Sequence, residues 1–358
     1  MPIKGNKGEW SEFYAFIKIL TDGKVFTANK DLEILRDHFY LVLKIIREEA
    51  KGIKSYDISK NDGNVLIRDG NDSKIGEINL NDVKSKVSDI FKAMKDSSGT
   101  TFRISTAESV MKDLHCSKLK ASSGKKADLV IVLHDKKSPE FPKLGFSIKS
   151  MLGSPSTLLN SSGATNFIYK AVENKPEKTN QKKTFTVREA AAQVYGSGGK
   201  LEFCGMGSET FRANLRKIDS NFHIIMAEIT RHYYAGHGTK ISDLVELVAS
   251  DDKFVGSIDL AKDALIIKIK RFLSAIALGM TPGKNWDGKT QTHGGYIIVK
   301  EDGDVVCYHL YNRDQFEDYL FNNVKLDTPS TKKHKFGKFY REAGEKRIKF
   351  NLQIRFLR

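Results

Sequence analysis

The sequence predicts an α+β fold in which a mixed β-sheet is flanked by helices. Three observations carry that prediction. Apolar runs of strand length, "ADLVIVL" at 127–133 and "LGFSIKS" at 144–150, occupy the middle of the chain. Helical apolar spacing marks the first twenty residues and returns between Ser208 and Met280. Near the end, paired apolar runs close on an Asp-Gly turn, the signature of a hairpin.

Taken in order, Trp10, Phe13, Phe16, Ile17 and Leu20 share one face of a helix over Glu9–Leu20, which Asp22-Gly23 stops. A second helix is expected over Lys30–Ala50. The stretch "NDGNVLIRDGNDSKIGEINL" reads as short strands with turns at Asp62-Gly63 and Asp69-Gly70. Two strands at 127–133 and 144–150 follow, joined by a polar loop through Pro139 and Pro142. "VENKPEKTNQKKT" at 172–184 is charged and nearly free of apolar residues, so it reads as a linker or exposed loop. Helices are expected in "ETFRANLRKI", "FHIIMAEITRHYY", "SDLVELVA" and "DLAKDALIIKIKRFLSAIAL". "GGYIIVKEDGDVVCYHLY" then forms a hairpin closed at Asp302-Gly303, and "RIKFNLQIRFLR" a terminal strand. The segments expected are 1–190 with the central strands, a helical 200–280, and a basic, β-rich 281–358. No internal repeat is evident.

The 358 residues can bury a sizeable core, and the hydrophobic content of 40% is that of a globular protein. No apolar run approaches the roughly 18 residues that cross a bilayer. Residues 1–7 are polar and carry no signal-peptide pattern. Cys116, Cys204 and Cys307 are too widely spaced for a disulfide framework or a zinc site, which favours a reducing, cytoplasmic setting without membrane attachment. The net charge of +15 creates a field suited to a polyanion, with nucleic acid the first candidate. About half of that charge lies between Pro329 and Arg358, where ten lysines and arginines face only Glu342 and Glu345.

In "GFSIKS" the period-two rule puts Ser147 and Lys149 on one strand face and Phe146 and Ile148 on the other. Asp128 stands upstream by the length of a strand, a loop and a returning strand, so acid and ammonium can meet at one sheet edge. Metal-dependent phosphodiester cleavage needs that pairing: a carboxylate to hold Mg²⁺, and a cation to orient the attacking water and balance charge on phosphorus. A strand-end aspartate and a solvated lysine would have the same spacing.

Beyond the strands, "ADLVIVL…GFSIKS" resembles the PD-(D/E)XK nuclease core. The stretches "GNKGEWSEFYAFIKIL", "SIKSMLGSPSTLLNSSGATNF", "LDTPSTKKHKFGKFY" and "IKFNLQIRF" resemble type II restriction endonucleases of the HpaII type, and these matches span the chain from end to end. The resemblance implies a restriction-endonuclease-like core in which Asp128 is the core aspartate, Lys149 the catalytic lysine, and Ser147 stands in place of the second acid. Ala127 replaces the proline of the pattern. Because a serine hydroxyl is a poor Mg²⁺ ligand, a carboxylate from elsewhere is required. The family supplies a first-helix glutamate after a Lys-Gly pair, here Lys7-Gly8 followed by Glu9 and Glu12. Glu12 is preferred as the second metal ligand beside Asp128, and an acid in the first turn can equally serve the helix N-terminus.

"SMLGSPSTLLNSSGATNF" can bring Ser154, Ser156 and Thr157 to a phosphate, or can be a polar turn. Lys125 and Lys126, just ahead of Asp128, read as phosphate contacts. "GKNWDGKT" at 283–290 matches the phosphate-loop pattern letter for letter, but a helix precedes it and a strand follows, the reverse of the frame such a loop needs. It reads better as a basic loop near DNA, with Trp286 and Lys289 at its tip. His232 and His237 are five residues apart, a poor helical metal pair.

The resemblance implies an Mg²⁺-dependent endonuclease cutting double-stranded DNA at a short palindrome, CCGG by analogy, to leave 5′-phosphates. It also implies a partner methyltransferase in a restriction-modification pair, and a palindromic site suggests a homodimer. Lys332, Lys333 and Lys335 join the expected DNA contacts. Two other readings stay open: a DNA-binding protein with an inactive nuclease core, suggested by Ser147, and an NTPase using 283–290.

Overall fold

The computed structural model describes residues 3–59, 63–120, 127–134, 141–172, 186–290 and 293–357. The elements in chain order begin with α1 (Lys7–Asp22), β1 (Lys24–Ala28), β2 (Ile34–Glu49), β3 (Gly52–Ile58), β4 (Asn64–Arg68), β5 (Lys74–Asn79), α2 (Leu80–Asp96) and α3 (Ser105–Asp113). Next come β6 (Leu129–His134), β7 (Lys143–Ser150), β8 (Thr157–Leu159), β9 (Asn166–Val172), α4 (Val187–Gly196) and β10 (Lys200–Met206). A helical run follows: α5 (Glu209–Arg216), α6 (Phe222–Tyr234), α7 (Ile241–Ala249), α8 (Asp252–Ser257) and α9 (Lys262–Ala277). The chain ends with β11 (Gly295–Val299), β12 (Val305–His309), α10 (Arg313–Asn322), β13 (Val324–Leu326), α11 (Thr331–His334), β14 (Phe339–Glu342), β15 (Glu345–Asn351) and β16 (Ile354–Phe356). The fold is therefore mixed α+β.

Two compact units emerge, one of residues 1–156 with 291–316 and 358, the other of 157–290 with 317–357. This division cuts across the three consecutive segments expected from the sequence, because β11 and β12 return to the first unit.

The first unit is built on a nine-stranded sheet, ordered β1-β12-β11-β7-β6-β2-β3-β4-β5. β11 runs parallel to β7 and β1 parallel to β12, while the remaining neighbours are antiparallel. β1 also pairs with β2, so β1, β12, β11, β7, β6 and β2 form a closed circuit of pairings. α1 begins with a capping box: the Asn6 side chain accepts from Glu9 N–H, and the Glu9 carboxylate accepts from Asn6 N–H, both at 3.0 Å. It ends at Gly23, whose left-handed backbone donates back to the Ile19 carbonyl. Trp10, Phe13, Phe16, Ile17 and Leu20 are all buried in one core with Ile45, Tyr56, Ile131, Phe146 and Ile297. Burying each such side chain contributes about 1.5–3 kcal/mol.

Two expectations are corrected. Residues 34–49 form the long strand β2, where a helix was expected over Lys30–Ala50. The apolar run there satisfies both periods, and the strand's inward face ends on a buried ion pair, Arg47–Glu49 at 3.5 Å, which hides the alternation. Its register shifts between Val42 and Lys44, a bulge that interrupts the period again. The terminal strand is two strands. β15 lies in the sheet β10-β9-β15-β14 of the second unit and β16 in its other sheet, β13-β16-β8. Asn351 marks the switch, its buried side chain donating to the Ser162 carbonyl and to Asn166 Oδ1, both at 2.7 Å.

Helices α5, α6, α7 and α9 and the β11–β12 hairpin stand where the sequence placed them, and the short α8 between them was not expected. The expected linker at 172–184 lies, beyond Val172, outside the described residues. No helix among the described residues is long and apolar enough to cross a membrane.

Candidate active site

Asp128 sits one residue ahead of β6, where the antiparallel partner β7 passes. Its backbone N–H donates to the Phe146 carbonyl (2.8 Å), and its carboxylate Oδ2 accepts from the Ile148 N–H (2.7 Å). The carboxylate is thus held midway between Ser147 and Lys149. Close packing makes this possible: a Cβ at Gly145 would come within 2.8 Å of the Ala127 Cβ, and one at Gly294 within 2.6 Å of the Gly145 carbonyl oxygen.

β7 alternates as its sequence predicts, with Leu144, Phe146 and Ile148 buried and Ser147 and Lys149 on the opposite face. Lys149 lies opposite Ile298 on the parallel strand β11, and its ammonium is 5.4 Å from the centre of the Tyr296 ring. Burial pushes the Lys149 pKa down, against the pull of the Asp128 and Glu12 carboxylates. Burial likewise raises the Asp128 pKa, opposed by the Ile148 N–H, the Lys149 charge and the Ser147 hydroxyl. Both shifts point toward the neutral form, so desolvation outweighs the mutual attraction of the pair.

α1 brings the second acid. Its Ser11 hydroxyl meets the Ser150 hydroxyl at the end of β7 (2.8 Å), tying the helix to the lysine strand. Glu12, on the next residue, acts electrostatically on Lys149 and on Lys120. Glu9 is engaged elsewhere, in the capping box and in an ion pair with Lys120 at 2.5 Å. Burial raises its pKa, but the Lys120 and Asn6 hydrogen bonds outweigh that and hold its carboxyl below the usual range.

Asp128, Ser147, Lys149 and Glu12 are therefore gathered around one ammonium. Among the described residues, no group of three or more His, Cys, Asp and Glu side chains is placed to hold a metal ion. Two carboxylates that both act on Lys149 still suit Mg²⁺, which is commonly held by one or two carboxylates and completes its shell with water and substrate phosphate.

The expected DNA contacts are placed as follows. Lys125 and Lys126 lie outside the described residues. Ser154 is exposed and Ser156 half-buried in the turn after β7, while Thr157 opens β8 and pairs with Arg355. Lys289 is exposed in the loop between α9 and β11, where Trp286 Nε1 donates to its carbonyl (3.1 Å). Among the described residues the element that follows that loop is the strand β11, so the frame of a phosphate loop is missing there. Lys332 and Lys333 lie on α11 and Lys335 just after it, all exposed. The His232 and His237 rings meet at 2.7 Å between Nδ1 atoms, with His232 also on Glu228.

Sequence reasoning missed Tyr296, Ser11 and Ser150. Tyr296 reads as one more apolar residue of a buried strand, and neither serine carries a motif.

Comparison with known proteins gives a concordant result. The family model described as HpaII restriction endonuclease matches residues 6–356. The chain is 37% identical over 355 residues to the type II restriction enzyme HpaII of Haemophilus parainfluenzae, covering 99% of this chain and 98% of that protein. No solved structure matches.

Proposed function

The chain belongs to the HpaII restriction endonuclease family, and from that premise we propose which residues cut DNA and how. It is a type II restriction enzyme, a site-specific endonuclease of double-stranded DNA. The recognition sequence proposed is CCGG, the one its family resemblance implies, with Mg²⁺ as the metal.

The catalytic assignment is Asp128, Lys149 and Glu12, with Ser147 positioning. The observation that carries it is the Asp128 carboxylate fixed on the Ile148 N–H beside a buried lysine that also feels Glu12. Asp128 and Glu12 would hold the ion. When bound, Mg²⁺ supplies a more acidic water and offsets charge on the phosphoryl oxygens. Lys149 orients the attacking water and balances the charge that grows on phosphorus. The water oxygen bonds to phosphorus, the bond to the 3′-oxygen breaks, and that oxygen leaves as a hydroxyl, giving 5′-phosphate and 3′-hydroxyl ends. The Ser147 hydroxyl steadies the Asp128 carboxylate, and α1 supplies the acid that β7 lacks.

The circuit of β6, β7 and β11 with α1 across β7 supports assigning the first unit as the PD-(D/E)XK nuclease core. A palindromic site calls for two-fold symmetry, so a homodimer on DNA, a cytoplasmic location and a methyltransferase protecting the same site complete the reading.

Plasmid of known sequence, digested with Mg²⁺ or EDTA and sequenced at its ends, tests it. Wild type should cut at CCGG only with Mg²⁺, and Lys149→Ala or Asp128→Ala should abolish cleavage while retaining specific binding. Near-normal turnover by Lys149→Ala would overturn the assignment. Binding without any nicking would favour the inactive-core reading.

A further inference from the structure

The second unit contains a cleft that the catalytic assignment does not use. It measures about 390 Å³ and lies between α11 and the β14–β15 hairpin. Lys332, Lys335, Lys338 and Lys349 line it together with Phe339 and Tyr340. Among the described residues, none of the four lysines has a carboxylate partner. Acids are within reach on the same hairpin, but Glu342 and Glu345 are taken by Arg347, and Glu345 also by Lys170.

Backbone geometry holds this arrangement. Gly337 turns at φ +82 and donates to the Lys349 carbonyl (2.9 Å), and a Cβ there would meet Val187 at 2.4 Å. Lys335 itself takes the left-handed conformation, φ 52, as it closes α11. Four uncompensated positive charges around one concavity repel one another, and a bound anion relieves that repulsion. The Lys349 ammonium lies 5.1 Å from the Tyr340 ring, so charge and aromatic surface face the same space.

We propose that this cleft is a docking site for the sugar–phosphate backbone of a DNA strand, with the lysines on successive phosphodiesters and the aromatic floor against deoxyribose. The inference rests on the DNA-cleaving function proposed above and extends it to Lys338, Lys349 and Tyr340. Size and charge choose the occupant. The cleft is much larger than one phosphate, and four ammonium groups exceed the roughly two charges of a nucleotide monophosphate. A strand offers one charge after another at the spacing of its nucleotides.

The test measures binding of full-length protein to a short CCGG duplex and a random duplex, without Mg²⁺, across a salt series. Lys338→Gln with Lys349→Gln should flatten log K against log salt by up to about 1.8, since each lost phosphate contact removes about 0.9. Both duplexes should respond alike. Lys253→Gln removes the same charge from exposed α8 of the same unit, outside the cleft lining, and should leave the slope unchanged. An unaltered slope in the double variant overturns the proposal, as does an equal effect of Lys253→Gln, which would reveal only a general field. Binding of dAMP to wild type as tight as duplex binding, and lost in the double variant, would make this a free-nucleotide site and overturn the backbone assignment. Failure of the cleft leaves plasmid cleavage by wild type intact, whereas failure of the nuclease reading removes that cleavage.

Discussion

Glu9 and Glu12 lie three residues apart on α1, yet their surroundings differ. Glu9 closes the capping box and pairs with Lys120, while Glu12 acts on Lys149. Loss of even an outer partner of a metal ligand costs about 10- to 100-fold in metal affinity. Glu12→Gln should therefore raise the Mg²⁺ concentration for half-maximal cleavage by roughly tenfold or more, with Glu9→Gln close to wild type. Glu9→Gln should instead lower thermal stability by about 0.5–1 kcal/mol, the worth of a helix cap and its charge. A Mg²⁺ titration of both variants decides, and the reverse order would move the metal ligand to Glu9. A pH effect belongs to the second unit. Burial tends to raise the Glu228 pKa, but hydrogen bonds from Arg231 and His232 outweigh it and hold the carboxyl at about 2. A depressed folded-state pKa means stability that is present above the unfolded value near 4.5 and lost as pH falls toward 2. Wild type should lose up to about 3 kcal/mol more than Glu228→Gln across that window, followed by urea unfolding at each pH. Parallel curves would show that the carboxylate is not held this way.

Among elements, the lysine strand depends on its neighbour β11, and β11 depends on Gly295. That glycine has φ +115, and a Cβ there would fall 2.0 Å from the Tyr308 carbonyl oxygen on β12. No rotamer change relieves a backbone clash of this kind. Gly295→Ala should destabilise by about 4 kcal/mol or more, or prevent folding, as read from urea midpoints; a change under about 1 kcal/mol would show that the hairpin yields locally. The elements also show how much the sequence disclosed. α1 and β7 were legible from a clean apolar period, and β6 and the β11–β12 hairpin from short continuous apolar runs bounded by turn residues. β2 was not, since the inward Arg47 and Glu49 mimic a polar face and only their pairing inside the core makes them acceptable. The break at Asn351 was hidden too, because its cause is a set of hydrogen bonds to residues almost two hundred positions away. At the candidate site, the meeting of Asp128 and Lys149 was legible from the alternation of β7 and the spacing back to Asp128, and the roles proposed for them came from the family resemblance. The ring of Tyr296 beside Lys149 follows from parallel pairing with a distant strand, which no local pattern encodes.

For the whole molecule, the distribution of charge matters more than its sum. The chain carries +15, about half of it in the last thirty residues, whereas the proposed catalytic groups stand far earlier in the sequence. On the proposed assignment, catalysis and electrostatic capture fall to different stretches, and they should separate experimentally. Lys332, Lys333 and Lys335 are exposed on and just after α11, outside the unit that holds Asp128 and Lys149. Neutralising all three to Gln should flatten log K against log salt by up to roughly 3 units of slope, at about 0.9 per phosphate contact. Phosphates carry no direct sequence information, so specific and random duplexes should weaken by similar factors and the preference for the recognition site should persist. Single-turnover cleavage at saturating DNA and low salt should then stay near the wild-type rate, because the bound complex still presents its phosphodiester to Lys149. A triple variant with the wild-type slope would place the phosphate contacts elsewhere on the protein. One that cleaves slowly even when saturated would show that these lysines also position the strand for the reaction.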